Sequence, residues 1–256
     1  MSFSLNWTTD RRCSWMPEQY AIIAGSGFTE FVGDGEGVSV ATRFGGPSAA
    51  IRSRQVGSQR LLILPRHGDA HTLPPHAINY RANMCALKEL GATHVVALNT
   101  VGVISNVRQP GEIAVPDQII DYTWGREHTI YDGGAEFAHI EFTQPFSSSV
   151  GGALLAAAKA AGVDCYAGGV YAVTQGPRLE SAAEIDRLER DGADYVGMTA
   201  MPEAALAQEL GLEYACLALI VNRAAGRSDV PIHADVEASS AAARLQVMQL
   251  LEHFFE

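Results

Sequence analysis

Short apolar runs recur along the chain, and longer stretches between them repeat apolar residues every three or four positions. The runs at 20–24, 60–64, 94–98, 170–174 and 214–221 are uninterrupted and closed by Gly, Pro, Asn or Gln, which predicts buried strands. The stretches 79–90, 149–161, 182–190 and 202–210 have helical spacing and stop at or near Gly91, Gly162, Gly192 and Gly211, where glycine suits a helix end. An amphipathic final helix is expected over 238–255. Strands that alternate with helices throughout predict one α/β domain with a largely parallel sheet. That domain is expected over 19–256, and 1–18 reads as a loose extension because strand-like sequence begins at Tyr20.

Composition narrows the class of partner. The chain has 256 residues and a formal net charge of -11, and Lys88 and Lys159 are its only lysines. An acidic surface excludes non-specific nucleic-acid binding, which needs a basic footprint. No apolar run is long enough for a membrane span, and 1–16 has no hydrophobic signal-peptide core. Cys13, Cys85, Cys165 and Cys216 form no C-x-x-C pair, which fits reduced thiols in a cytoplasmic protein.

In folds of this kind, ligands collect beyond the carboxyl ends of strands. The unusual polar residues lie there: Ser26, Arg66-His67, Asn99-Thr100, Glu180, Thr199 and Asn222. Gly25-Ser26-Gly27 can offer N–H groups and a hydroxyl to a phosphate, but it also reads as a plain tight turn. The dinucleotide fingerprint is incomplete, with Glu30 at the third glycine position. Arg66 supplies a planar fork for an oxyanion. His67, His71 and His76 fit no common zinc spacing, so neither a metal nor a cofactor is expected. Thr199 precedes a helix and reads equally as a simple N-cap. Glu180 beside a tight turn is open to a solvated role, and Asn222 at a strand end needs partners for its amide. No G-x-S-x-G elbow or Walker A sequence occurs. Any catalysis is therefore expected to rest on positioning and electrostatics.

Several blocks together resemble one family. Pro65-Arg66-His67-Gly68, the run Pro75-His76-Ala77-Ile78-Asn79-Tyr80-Arg81-Ala82-Asn83, and Pro110-Gly111-Glu112 with Pro116-Asp117-Gln118 and Asp121 are similar to the methylthioadenosine phosphorylase branch of the trimeric purine nucleoside phosphorylases. So are Gly176-Pro177-Arg178 and Gly197-Met198-Thr199 with Pro202-Glu203. The resemblance implies a three-layer α/β/α fold with a mixed, largely parallel sheet, a homotrimer, and phosphorolysis with inorganic phosphate as co-substrate. It implies phosphate contacts from Ser26, Arg66, His67, Asn99-Thr100 (expected as a turn) and Thr199. It implies ribose contact from Met198 and base contact from Leu179, Glu180 and Asn222, with Arg223 and Ala224 beside them. Arg66 would hold the nucleophile in line and Asn222 would stabilise the leaving purine.

Two departures from the methylthioadenosine pattern bear on the substrate. Asn222 stands where that branch carries Asp, and Glu180 where it carries Ser. Asn222 can donate to O6 and accept from N7–H, and Glu180 can accept N1–H, so both suit a 6-oxopurine. At the 5′ end, Val236 stands where the 6-oxopurine enzymes place a His for the 5′-hydroxyl, with His233 close by and His139 able to reach across a subunit boundary. An apolar residue buries a methylthio group but leaves a hydroxyl unsatisfied. The expected substrate is S-methyl-5′-thioinosine. An inosine/guanosine phosphorylase, a methylthioadenosine phosphorylase and a non-catalytic nucleotide-binding protein are the alternatives.

Overall fold

The computed structural model describes residues 18–33, 36–133, 137–229 and 231–256, and the side chains at 29, 30, 233, 234, 235 and 238 also lie outside the described part. The extension expected at 1–18 falls outside the described residues except for Glu18. Strand β1 (Tyr20–Ala24) leads to helix α1 (Thr29–Val32), edge strand β2 (Gly37–Val38) and a hairpin of β3 (Ile51–Val56) and β4 (Gln59–Pro65). Helix α2 (Tyr80–Glu89), β5 (His94–Val103), β6 (Ile113–Val115) and β7 (Gln118–Asp121) follow. The chain continues through α3 (Ser148–Ala161), β8 (Cys165–Ala167), β9 (Val170–Val173) and α4 (Ala182–Arg190). It ends with β10 (Tyr195–Gly197), α5 (Ala200–Glu209), β11 (Glu213–Arg223) and α6 (Ile232–Phe254).

The described strands form one sheet in the order β2-β3-β4-β1-β5-β10-β9-β7, and β11, β6 and β8 continue from the other edge of β5. Pairs β1–β4, β1–β5, β5–β11, β9–β10, β7–β9 and β6–β8 are parallel, while β2–β3, β3–β4, β5–β10 and β6–β11 are antiparallel. The sheet is thus mixed and mostly parallel, as the alternation of elements implies. Strand alternation sorts its two faces. Ala21, Ile23, Val95 and Ala97 pack with α2 and α5, while Ile22, Ala24, Val96 and Leu98 pack with α1, α3 and α6. Helix α4 covers a smaller cluster with Ile185 and Leu188 against Ala172 and Val196. Three layers result.

The helix ends obey local chemistry. Asn79 caps α2 by accepting from the Ala82 N–H, and Gly162 closes α3 in the left-handed conformation. Ser181 and Glu184 form a reciprocal capping box at α4. Two features depart from expectation. Residues 99 and 100 are not a turn, because β5 runs unbroken from His94 to Val103 with β11 alongside its whole length. Helix α6 begins at Ile232 rather than 238, since its first turns are too polar to show an apolar period.

Strand β5 also creates the opening where the site lies. On one edge, β1 pairs with His94–Ala97 and β10 with Gly102 and Val103. Between them, residues 98–101 have no strand on that edge among the described residues. The notch opens at the carboxyl ends of β1, β4, β9 and β11, beside β10, where the connections diverge.

Candidate active site

A cavity of about 190 Å³ fills the notch. Ser26, Arg66, His67, Thr100, Met198 and Thr199 line one part of it, and Leu179, Glu180, Val221, Asn222 and Ala224 line another. Strand ends supply these residues: β1 leads to Ser26, β4 to Arg66 and His67, β9 to Glu180, β10 to Met198 and Thr199, and β11 carries Asn222.

Arg66 is 1% exposed, and its guanidinium is almost fully committed. Nε donates to Glu203 Oε1 at 2.6 Å and Nη2 to Glu203 Oε2 at 3.0 Å. Nη1 donates to the Leu98 carbonyl at 2.8 Å, and Nη2 also reaches Asn99 Oδ1 at 3.4 Å. A guanidinium has five N–H bonds. These four contacts leave one on Nη1 for a ligand. Burial opposes the charge, but the Glu203 carboxylate outweighs it and holds the Arg66 pKa above its ordinary value. Gly25 must lack a side chain, because a Cβ there would meet the Leu98 carbonyl oxygen and lie 2.6 Å from Arg66 Nη1.

Asn99 does not line the cavity. It lies behind it, accepting from Arg66 and donating through Nδ2 to Thr199 Oγ1 at 2.8 Å. Thr199 makes no side-chain cap bond to α5, so the simple N-cap reading fails. Its oxygen accepts from Asn99, which leaves its own O–H to donate into the cavity. In a strand, alternate residues share an edge. The Leu98 carbonyl faces the notch, so the Thr100 N–H faces it too.

His67 enters the cavity wall as a neutral imidazole. Its Nδ1 lies 2.8 Å from the Leu73 carbonyl, so Nδ1 carries the proton and Nε2 is an acceptor. Burial and the Arg66 charge lower its pKa to about 4, with His71 adding to the shift and the Leu73 bond opposing it. A neutral His67 accepts from a protonated ligand oxygen. Ser26 Oγ meets His71 Nε2 at 3.3 Å at the exposed rim.

The opposite wall depends on an irregularity. The register of β11 against β5 shifts between Ile220 and Asn222, which is a bulge. Gly102 gives the amide room: a Cβ there would lie 3.0 Å from Asn222 Nδ2. That nitrogen donates to the Arg223 carbonyl at 2.7 Å, so one N–H and the Oδ1 remain for a ligand. Glu180 Oε1 accepts from Thr174 Oγ1 at 2.6 Å, which anchors the carboxylate and leaves Oε2 open. Arg223 points elsewhere, with its guanidinium donating to Gln109 Oε1. It is not among the lining residues, whereas Asn222 and Ala224 on either side of it are.

The residues expected at the 5′ group are not brought together in this chain. His139 is exposed and packs edge-on to Phe137 at 5.2 Å between ring centroids, away from the cavity lining. Val236 is half-buried on α6 but does not line the cavity, and the side chain of His233 lies outside the described residues. Ile232, one turn earlier on α6, lines the cavity instead. Sequence reasoning missed it because α6 was expected to start after it. It also missed Glu203, although Pro202-Glu203 follows the Thr199 block; a carboxylate with no role beside a lone buried Arg was the available signal. Arg126, 9% exposed, went unnoticed as well because it lies in an irregular connection. Among the described residues no cluster of His, Cys, Asp and Glu could hold a metal, and no helix is long and apolar enough to cross a membrane.

Residues 19–256 match the model of the phosphorylase superfamily. The chain is 54% identical over 191 residues to a probable S-methyl-5′-thioinosine phosphorylase of Xanthomonas campestris pv. campestris, which covers 74% of this chain and 76% of the relative. It is 41% identical over 215 residues to the 6-oxopurine nucleoside phosphorylase of Pyrococcus furiosus, covering 81% and 80% respectively. The methylthioadenosine phosphorylase of Schistosoma mansoni in complex with tubercidin superposes with a TM-score of 0.86 at 32% identity, covering 93% of this chain and 91% of that one.

Proposed function

Because the chain belongs to the phosphorylase superfamily, we propose that it catalyses the phosphorolysis of S-methyl-5′-thioinosine to hypoxanthine and 5-methylthioribose 1-phosphate. One observation carries the reading: Glu180 and Asn222 line one part of a single cavity, and Arg66 and Thr199 line another. The first pair suits a 6-oxopurine and the second an oxyanion. The similarity to S-methyl-5′-thioinosine phosphorylases at about half identity supports the same substrate.

In this reading phosphate lies between the free Arg66 N–H, the Thr199 hydroxyl, the Thr100 N–H and Ser26, and a protonated phosphate oxygen donates to His67 Nε2. Asn99 holds Arg66 and Thr199 in place. A phosphate oxygen attacks the anomeric carbon as the bond to N9 breaks, and the bonding pair passes to the purine. Asn222 donates to O6 as negative charge develops on the purine, and its Oδ1 accepts from N7–H once the departing base has taken a proton from water at N7. Glu180 accepts from N1–H. Adenine has no N1–H and offers an amino group in place of O6, so a 6-aminopurine leaves both side chains mispaired. Met198 packs on the sugar, and apolar Ile232 faces the 5′ thioether.

A second reading, inosine or guanosine as substrate, shares this base site and differs only at the 5′ end, where this chain alone does not bring Val236 or His139 to the cavity. We propose that the chain acts as a homotrimer and that His139 completes the 5′ pocket of a neighbour. Its free thiols Cys85, Cys165 and Cys216 fit a cytoplasmic setting. A non-catalytic binding protein would have no reason to keep every anion ligand. The test is product analysis: methylthioinosine with inorganic phosphate should yield hypoxanthine and a sugar 1-phosphate, and should yield neither without phosphate. Absence of phosphate-dependent base release from methylthioinosine, inosine and methylthioadenosine alike would overturn the assignment.

A further inference from the structure

Arg126 occupies a position that the anion and base contacts do not explain. It follows β7, is almost fully buried, and spends its guanidinium on six uncharged acceptors. Nη1 donates to the carbonyls of Met198 and Met201, each at 2.7 Å, and reaches Tyr80 Oη at 3.3 Å. Nη2 donates to the carbonyls of Gln175 at 2.8 Å and Thr174 at 3.2 Å, and Nε reaches Gln175 Oε1 at 3.2 Å. Tyr80 Oη in turn donates to the carbonyl of Pro75, another residue of the cavity wall.

These acceptors lie where two parallel strands part. β9 and β10 pair through Val173 and Gly197, and the Thr174 N–H still donates to the Gly197 carbonyl at 2.8 Å. Beyond that point one chain runs through Gln175 to Leu179 and Glu180, and the other through Met198 and Thr199 into α5. Carbonyls at such a split lose their ladder partners and must find donors. Arg126 supplies donors to both branches from one rigid plane. Lysine has three donors on one flexible point and cannot reproduce that geometry. Thr199 has an independent anchor in Asn99, whereas among the described residues the hydrogen bond that ties Glu180 comes from Thr174, on the branch Arg126 holds.

We propose that Arg126 is a positioning residue for nucleoside selection: it clamps the diverging ends of β9 and β10 and so fixes Glu180 at its distance from Met198 and Thr199. This rests on the reading of Glu180 and Asn222 as the groups that recognise the base. Steady-state kinetics of Arg126→Lys on methylthioinosine and methylthioadenosine, with KM for phosphate measured separately, test it. The expected result is a nucleoside KM raised about 10-fold and a 6-oxo over 6-amino preference reduced about 10-fold, with phosphate KM within about 3-fold of wild type. Unchanged nucleoside KM and preference would overturn the proposal. So would nucleoside and phosphate KM rising together with a fall in Tm, the signature of general loosening. Should Arg126→Lys fail to fold, Gln175→Leu decides: Gln175 does not line the cavity and accepts the Nε bond, so a drop of about 3-fold in preference is expected and no change is the contrary result. A wild-type enzyme without 6-oxopurine preference would refute the base reading instead, and the clamp would then stand or fall on the split between nucleoside and phosphate KM.

Discussion

The Arg66 floor of the cavity, proposed for phosphate, and the end beside α6, proposed for the 5′ group, are built in opposite ways. The floor rests on strand ends and a closed network, in which Glu203, Arg66, Asn99 and Thr199 are joined through buried side chains. Among the described residues the α6 end has no comparable network: Ile232 sits at the first position of α6, Val236 stands off the cavity, and His139 is exposed. In the proposed reading, the part that binds a fixed, charged co-substrate is held by the core, where each polar group has a partner. The part proposed to distinguish a hydroxyl from a thioether is left to a helix start and a peripheral connection, which can change without disturbing the sheet.

That contrast predicts different costs for substitutions at the two ends. Glu203→Ala strands the Arg66 charge in the core, and breaking such a pair costs about 3–5 kcal/mol. Urea unfolding should show a loss of that size, together with a collapse of phosphate affinity. Thr199→Val keeps the shape but removes a hydroxyl donor to an anion, so KM for phosphate should rise about 10- to 100-fold, and the Asn99 N–H left without its acceptor should lower Tm modestly. Ile232→Ser should act on the other end only, lowering kcat/KM for methylthioinosine about 10-fold relative to inosine and leaving phosphate KM alone. Equal losses for both nucleosides would show that Ile232 does not meet the 5′ group.

The smallest expected effect concerns pH. The folded protein lowers the His67 pKa from 6.5 to about 4, chiefly by burial, so below pH 6.5 the unfolded chain takes up a proton that the folded chain refuses. The stabilisation tied to neutral His67 is complete above pH 6.5 and is lost as pH falls toward 4. Urea midpoints between pH 7 and 5 should therefore drop, and His67→Gln should flatten the slope. An identical slope in the variant would place the proton uptake elsewhere.

The difference between the two ends also explains what the sequence could reveal. Arg66, Thr199, Asn222 and Glu180 were legible because each follows an apolar strand or a turn signal, and their place in the family blocks ordered them. The fold class followed from the alternation of elements for the same reason. Strand β3 escaped because only its two ends are apolar, in Ile51-Arg52-Ser53-Arg54-Gln55-Val56. Strands β6, β8 and β10, at three residues each, are too short to show a period. Asn99 was found, but its place behind the cavity was not, since a strand pattern does not tell which side chains line a cavity and which stand behind it. Arg126 and Glu203 act through contacts distant in sequence, 49 residues to Gln175 in one case and 137 to Arg66 in the other. No local pattern encodes such a pairing.

The most direct test of how base and anion are read in one cavity is the ratio of kcat/KM for methylthioinosine to that for methylthioadenosine, in the wild type and in Asn222→Asp. Two mispaired groups covered by the bound purine correspond to a preference of roughly 10⁴ for the 6-oxopurine in the wild type, and Asn222→Asp should shift it strongly toward the 6-aminopurine. A wild type that turns over methylthioadenosine faster, or an Asn222→Asp variant with an unchanged ratio, would contradict it.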